Sequence, residues 1–527
     1  MNGKSENTQT TFYFINPTMI WPIIYIIVTV TFIKLLKSSS YDYIKRAILN
    51  YNKYKLIPGP KRWPFIGSAL EMNKQRPFET FVKWANEYGE ICLVTLFGKK
   101  ILLLSSTETF EEALITRGKD FSGRPALFYR AKFMSDGHED IVSTSPCPVW
   151  KVLRKGLQRE MKVYDPSQRR IESITNQILD ELIQELADTN GVPFDAREAI
   201  FTSLINMNCL FMIGNKLDYG GEKLEKVKSL VRIISTVMNI GGQGAELDYF
   251  PWLRFFGNKT FAKLVQAKEM RNDVFSWMLQ KMKHDLESKF GVMHGFYKLI
   301  LDNQPLLQEY HLQLVMTNLL IGLTSSSRSY FYSFINILAH YPNVQELMHR
   351  EIVNVIGQGQ RPSLADRPKM PYTRATLCEL LRFSSISPIT IPHSTITDTK
   401  IGKYDIPAGT TVFLMPRYIH HNTDLWKDPY TFDPMRFIDP ETNDIYGPKS
   451  EVQRNLMAFG AGPRGCPGEA IATSRFFLMA TNLIQRFIIE PADQDAGDVS
   501  KCDPRNFELG LVTNPPSFTA KFIRRRS

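Results

Sequence analysis

The sequence predicts a mainly α-helical protein with small β-sheets, an α+β fold, on three observations. Helical periodicity dominates from Trp150 onward. Strand signals are confined to two places: Ile91–Leu96 and Lys100–Ser105 around a turn at Gly98, and Thr395–Thr397 and Thr411–Met415 around Pro407-Ala408-Gly409. Apolar residues make up 43% of the 527-residue chain and charged residues 22%, which permits a large core. No internal repeat and no long low-complexity stretch interrupts it.

The N-terminus departs from this pattern. Asn7 to Ile33 carries no charge, and Met19 to Ile33 is nearly all apolar or aromatic. At about 1.5 Å per helical residue this run can cross a hydrocarbon core of about 30 Å. Lys34, Lys37, Lys45, Arg46, Lys53 and Lys55 follow, and positive charge holds that side in the cytoplasm. A cleaved signal peptide ending near Ser38 or Ser40 competes with an anchor helix. Its n-region is weak, since Glu6 offsets Lys4, and the flanking lysines oppose export. A mitochondrial transit peptide would need arginine and amphipathicity before residue 34, and both are missing. The expected division is an N-terminal segment with a transmembrane helix (residues 1–37), a linker (38–57) and one large domain (58–527). Pro58-Gly59-Pro60 and Pro64 stiffen the entry to that domain.

Lys and Arg outnumber Asp and Glu by 64 to 53, a formal charge of +11. Such a surface suits anionic lipid or an acidic protein. No zinc-finger or RNA-binding signature favours nucleic acid. Cys92, Cys147, Cys209, Cys378, Cys466 and Cys502 are far apart with no C-x-x-C pair, which argues against a disulfide scaffold and fits a reducing compartment.

Cys466 is the most informative of them. It closes Phe459-Gly460-Ala461-Gly462-Pro463-Arg464-Gly465-Cys466-Pro467-Gly468, just before a long apolar helical segment. A helix N-terminus lowers a thiol's pKa, and Pro467 suits a first helical residue. Glycines allow close backbone approach to a flat partner, and Arg464 is free to pair with a carboxylate. Gly460 to Gly465 also reads G-x-G-x-x-G, a dinucleotide pattern. Pro463 removes a donor from that turn and no second βα unit follows, so this match is accidental.

The pattern F-x-x-G-x-R-x-C-x-G, met at Phe459, Gly462, Arg464, Cys466 and Gly468, resembles the haem-binding loop of the cytochrome P-450 family. The resemblance covers nearly everything from Pro58 onward. It implies the cytochrome P-450 fold, haem b as cofactor and Cys466 as thiolate ligand to iron. It places Phe459, Gly460, Arg464 and Gly468 around the haem. Trp150 and Arg154, in W-x-x-x-R on one helix face, and His393, after Pro388-Ile389-Thr390-Ile391-Pro392, match propionate contacts of the family. Glu379 and Arg382 at i and i+3 within Pro371–Ser384, with Arg436 later, resemble its buried charge triad.

Glu309–His340 reads as one helix ending before Pro342. The family usually shows Ala-Gly-x-(Asp/Glu)-Thr there, and this chain has Gly322-Leu323-Thr324-Ser325-Ser326-Ser327. Counting back from Pro342 puts Ser325 at the acid and Ser326 at the alcohol. Taking Gly322 as the motif glycine puts Thr324 and Ser325 there instead. In both registers the carboxylic acid is missing, and a hydroxyl relays a proton without supplying one.

The resemblance implies a membrane-anchored monooxygenase of the endoplasmic reticulum, single-pass with its catalytic domain cytoplasmic. It would insert one oxygen atom from O2 into a small hydrophobic substrate, a steroid or sterol or an aromatic compound. Electrons would come from NADPH through a separate cytochrome P-450 reductase, with cytochrome b5 as a further partner. Lys151, Lys155, Arg159 and Arg464 are candidates for the docking face. Phe121-Ser122-Gly123-Arg124-Pro125, Ile386–Ile391 and Gly510–Thr513 resemble pocket segments, and Asp248–Leu253 an aromatic stretch near lipid. The alternatives are an isomerase, dehydratase or peroxygenase of the same fold that needs no O2 activation, and a non-catalytic haem or lipid sensor.

Overall fold

A computed structural model describes residues 54, 56–73, 76–125, 129–162, 169–238, 245–284 and 291–525. The expected anchor helix and nearly all of the linker lie outside the described residues. Among the described residues no helix is long and apolar enough to cross a membrane.

The helical expectation holds. Glu309–His340 forms one helix, stopped where Pro342 opens the next. Residues on every side of it are buried, which marks a helix inside the core. It packs along Arg197–Ile213, a helix buried continuously from Ala199 to Ile213 and ended by Gly214 at φ 74°. Pro371–Ser384 and Pro148–Lys162 are the helices that carry Glu379 and Arg382, and Trp150 and Arg154.

The main sheet has four strands in the order Ile91–Leu96, Lys99–Leu104, Thr411–Leu414, His393–Ser394. The first pair is antiparallel and the second parallel, with Ile101 opposite Thr411. Phe487–Pro491 and Ala520–Arg524 pair separately. One strand expectation is corrected: Thr395–Thr397 is not extended pairing, and the strand is His393–Ser394. Thr395 instead closes a turn, its N–H donating to Thr410 O (3.0 Å) and its hydroxyl to Pro407 O (2.7 Å), while Ile396 N–H turns to Asp120 O (2.8 Å).

The helix after Cys466 runs Glu469–Arg486 with Gly468 as its N-cap. Pro467 therefore lies before the cap and is not the first helical residue. No strand leads into Gly460, so the dinucleotide pattern lacks its βα context.

Candidate haem site

Cys466 sits between a short turn, Gly462–Arg464, and the Glu469–Arg486 helix. Its N–H donates to Phe459 O (2.8 Å), which folds the loop back on itself. Gly462 has φ +64°, and a Cβ there would lie 1.8 Å from the Leu114 carbonyl oxygen. Gly462→Ala is therefore expected to cost about 3 kcal/mol or more. The check is the urea-unfolding midpoint, and an unshifted midpoint would contradict the close approach.

Cys466 is exposed and lines a cavity of about 450 Å³, and it also borders a more open surface hollow with Pro467 and Glu469. Burial pushes its thiol up. The N–H groups of Gly468 and Glu469 and the Arg154 charge pull it down without prevailing. The N–H donors at the helix start lower the thiol as expected, but burial outweighs them. Because the thiolate is the ligating form, binding a metal at Cys466 displaces a proton.

Three arginines converge on the same cavity. Arg154 donates from one terminal nitrogen to Gly465 O, and its Nε is buried without a partner. Arg464 donates to Ser122 O (2.7 Å), Ile141 O (3.3 Å) and Thr144 O (2.5 Å), with its guanidinium 4.2 Å from the Trp150 ring centre. These three bonds leave one N–H on each terminal nitrogen of Arg464 for the expected carboxylate. Arg124 donates to Val142 O (2.7 Å), Ile391 O (3.0 Å) and Pro392 O (2.9 Å). Burial lowers the pKa of all three; with repulsion from neighbouring arginines Arg124 falls to about 9 and Arg464 to about 10, both still charged at neutral pH, and Asp140 opposes the fall. Sequence reasoning placed Arg124 only in a pocket loop. Its carbonyl partners lie far along the chain, so no local signal marked it.

His393 lines the cavity and accepts no proton readily: burial, then Arg124, brings it to about 3. Its Nδ1–H donates to Phe121 O (2.8 Å), which leaves Nε2 as the free ring nitrogen. The Trp150 indole N–H is already committed to Ile141 O (3.0 Å). Phe459, Gly460 and Gly468 line the cavity, and no atom lies within 4 Å of a Cβ built at Gly460.

The three hydroxyls of the central helix separate. Ser325 and Ser326 line the cavity, Ser325 Oγ 2.9 Å from Ser235 Oγ and Ser326 Oγ donating to Gly322 O (2.7 Å). Thr324 does not line it. Its hydroxyl is fully buried and accepts from Asn208 Nδ2 (2.9 Å). Thr324 is therefore withdrawn as a relay candidate.

Glu379 and Arg382 are both fully buried and form a two-pronged pair, each prong 2.7 Å. Arg436 Nε lies 3.5 Å from the same carboxylate, and Asp433 N–H donates to it (3.0 Å). Burial pushes this carboxyl up, and the arginine fork holds it down. Arg382 also donates to His420 O (2.7 Å) and Pro429 O (2.9 Å). His420 Nε2 accepts from Met457 N–H (3.1 Å), so its proton sits on Nδ1 beside Ser385 Oγ (2.8 Å). His420 thus links the ion pair to the start of the cysteine loop, a role sequence reasoning missed.

These features fit a flat apolar macrocycle with carboxylate arms. A sulfur donor and apolar side chains line the cavity, and a crowded group of guanidiniums keeps N–H donors for anions. Comparison with known proteins agrees. A family model described as Cytochrome P450 matches residues 57–522. Cytochrome P450 1A1 of Opsanus tau is 31% identical over 471 residues, 83% of this chain and 87% of the relative. Cytochrome P450 2F2 of Rattus norvegicus is 30% identical over 490 residues, 87% and 94%. A solved zebrafish cytochrome P450 structure with progesterone superposes with a TM-score of 0.73 at 23% identity, covering 85% of this chain and 99% of that one, which speaks to the fold. The chain belongs to the cytochrome P450 family of monooxygenases, whose cofactor is haem b held through a cysteine thiolate.

Proposed function

We propose that this chain is a membrane-anchored monooxygenase of the endoplasmic reticulum, inserting one atom of O2 into a small hydrophobic substrate, a steroid or sterol or an aromatic compound. NADPH-cytochrome P-450 reductase would supply electrons, with cytochrome b5 as a second donor. The observation that carries the reading is the Cys466 sulfur facing a cavity that Ser325 and Ser326 also line. Residues 1–37 would form the anchor segment, 38–57 the linker and 58–527 the haem-thiolate catalytic domain.

Bound haem would supply the redox activation of O2. Cys466 would hold it as the thiolate, giving up its thiol proton. The uncommitted terminal N–H groups of Arg154 and Arg464 would meet a propionate, while carbonyl bonds of Trp150, Arg464 and Arg124 fix that wall. A propionate beside His393 would favour a proton on Nε2, against the burial that chiefly keeps the ring neutral and the lesser repulsion from Arg124. Ser325 and Ser326 would pass protons from water, and the apolar lining would exclude bulk solvent. Lys151 and Lys155 are exposed on the Pro148–Lys162 helix and suit an acidic electron donor, whereas Arg464 lines the cavity and Arg159 pairs with Glu160 (2.8 Å). Trp252, Phe255 and Phe256 are exposed in one aromatic segment, which supports contact with lipid.

The test is O2 uptake and substrate oxidation with NADPH and reductase. Turnover of a peroxide without reductase, and none with it, would favour the isomerase or peroxygenase reading that the missing acid at Ser325 permits. Because a hydroxyl stands where an acid would feed protons, NADPH consumption is expected to exceed product, with the difference released as hydrogen peroxide. Product matching NADPH one for one would contradict that.

A further inference from the structure

We infer that Arg475 is a positioning residue for the central helix: acting through Asn208, it holds Thr324 and so turns Ser326 toward the cavity. The inference rests on the proton-relay reading above and names what sets the orientation of that relay.

Arg475 belongs to the helix that follows the cysteine loop, Glu469–Arg486. Its side chain is buried, and among the described residues no carboxylate pairs with it. Nη1 donates to Asn208 Oδ1 (2.6 Å), Nη2 reaches Met207 O at a long 3.5 Å, and Nε has no partner. Burial alone brings the group down to about 9, so it remains a cation at neutral pH. A buried cation without a counter-ion costs free energy, and a well-packed apolar side chain would cost less. Stability therefore does not account for this arginine.

The next bond gives it a use. Asn208 stands on Arg197–Ile213 and is fully buried. A guanidinium only donates, so it claims the amide oxygen and commits the NH2 to the other side. There Nδ2 donates to Thr324 Oγ1 (2.9 Å) on the central helix. Without Arg475 the amide is free to present either end to a hydroxyl. With it, one orientation holds, and the cation polarises the amide and strengthens the bond to Thr324. At 3.6 residues per turn, Thr324 and Ser326 lie about 160° apart around the helix. Holding Thr324 against Asn208 thus presents Ser326 to the opposite side, where it lines the cavity. Ser325, between them, is held from a third helix, Glu222–Val237, by Ser235 (2.9 Å). Arg475, Asn208 and Thr324 do not line the cavity, so a change at Arg475 reaches the site through the helix.

The test uses two variants. Arg475→Lys keeps a charged donor for Asn208, and Arg475→Met combined with Asn208→Leu replaces both buried partners by apolar groups. Urea unfolding and amide hydrogen exchange are measured on each. The haem-loaded proteins are then assayed with NADPH and reductase for the share of electrons released as hydrogen peroxide. The double variant is expected to unfold at the same urea concentration as the natural chain or a higher one, because both partners go together. Exchange at residues 322–327 is nonetheless expected to be about tenfold faster, the value of one charge-assisted buried bond, and the peroxide share to rise. Arg475→Lys is expected to return both to the values of the natural chain. An unchanged peroxide share in the double variant, or exchange at residues 322–327 no faster than before, would overturn the inference. So would a lower unfolding midpoint with exchange faster throughout the chain, the mark of an arginine that only stabilises, or an Arg475→Lys variant that behaves as the double one does. If the natural chain consumes no O2 with NADPH and reductase, the monooxygenase reading falls, while the exchange result still decides whether Arg475 holds the central helix.

Discussion

Glu379→Ala is expected to yield protein that purifies with little or no haem. The substitution leaves Arg382 fully buried with its fork unanswered, and takes the acceptor from Asp433 N–H. Stranding one member of a buried pair costs about 3–5 kcal/mol. Domains of this kind hold only about 5–15 kcal/mol in total, so the loss consumes much of the margin. It also falls in a specific place. Arg382 positions the 420 segment through His420 O, and His420 in turn holds Met457 N–H, two residues before Phe459. Loosening the pair thus loosens the cysteine loop. The measurement is the haem-to-protein ratio after purification from haem-supplemented expression. A ratio equal to that of the natural chain would refute the structural role given to this ion pair.

Cys466→Ala is expected to remove sulfur ligation completely. The cavity keeps its arginine wall and apolar lining, so some porphyrin could still lodge there, held by its propionates. What disappears is the thiolate signature in the reduced, CO-bound spectrum, and with it NADPH-dependent oxidation. Cys466→Ser separates size from chemistry, since a hydroxyl nearly preserves volume while being a far poorer ligand at neutral pH. Retention of activity in both variants would mean that another group holds the iron. None of the other five cysteines lines the cavity.

Much of the fold was legible because local signals and tertiary packing agreed. Pro342 ended the central helix where expected, and Pro371–Ser384 and Ile91–Leu96 fell on their expected bounds. The cysteine loop was legible because its glycines and Cys466 are spaced by one short turn. Elsewhere the deciding partner was remote. Thr395–Thr397 has the β-branched residues of a strand, but Asp120 and Thr410 draw its N–H groups into a turn. Arg464 reads as a carboxylate binder, and no local signal shows the three carbonyls more than three hundred positions away that fix its orientation. Thr324, Ser325 and Ser326 are chemically alike, and only the rotation of the helix against Asn208 shows that Thr324 faces away. The thiol's upward shift depended on how deeply the cavity is walled, which no motif encodes.

The most direct measurement is the absorbance of the intact purified chain after reduction and exposure to CO. Thiolate ligation by Cys466 predicts a strongly red-shifted Soret band that accounts for nearly all of the bound haem. A Soret band at the position given by nitrogen-ligated haem in freshly prepared, active protein would contradict it.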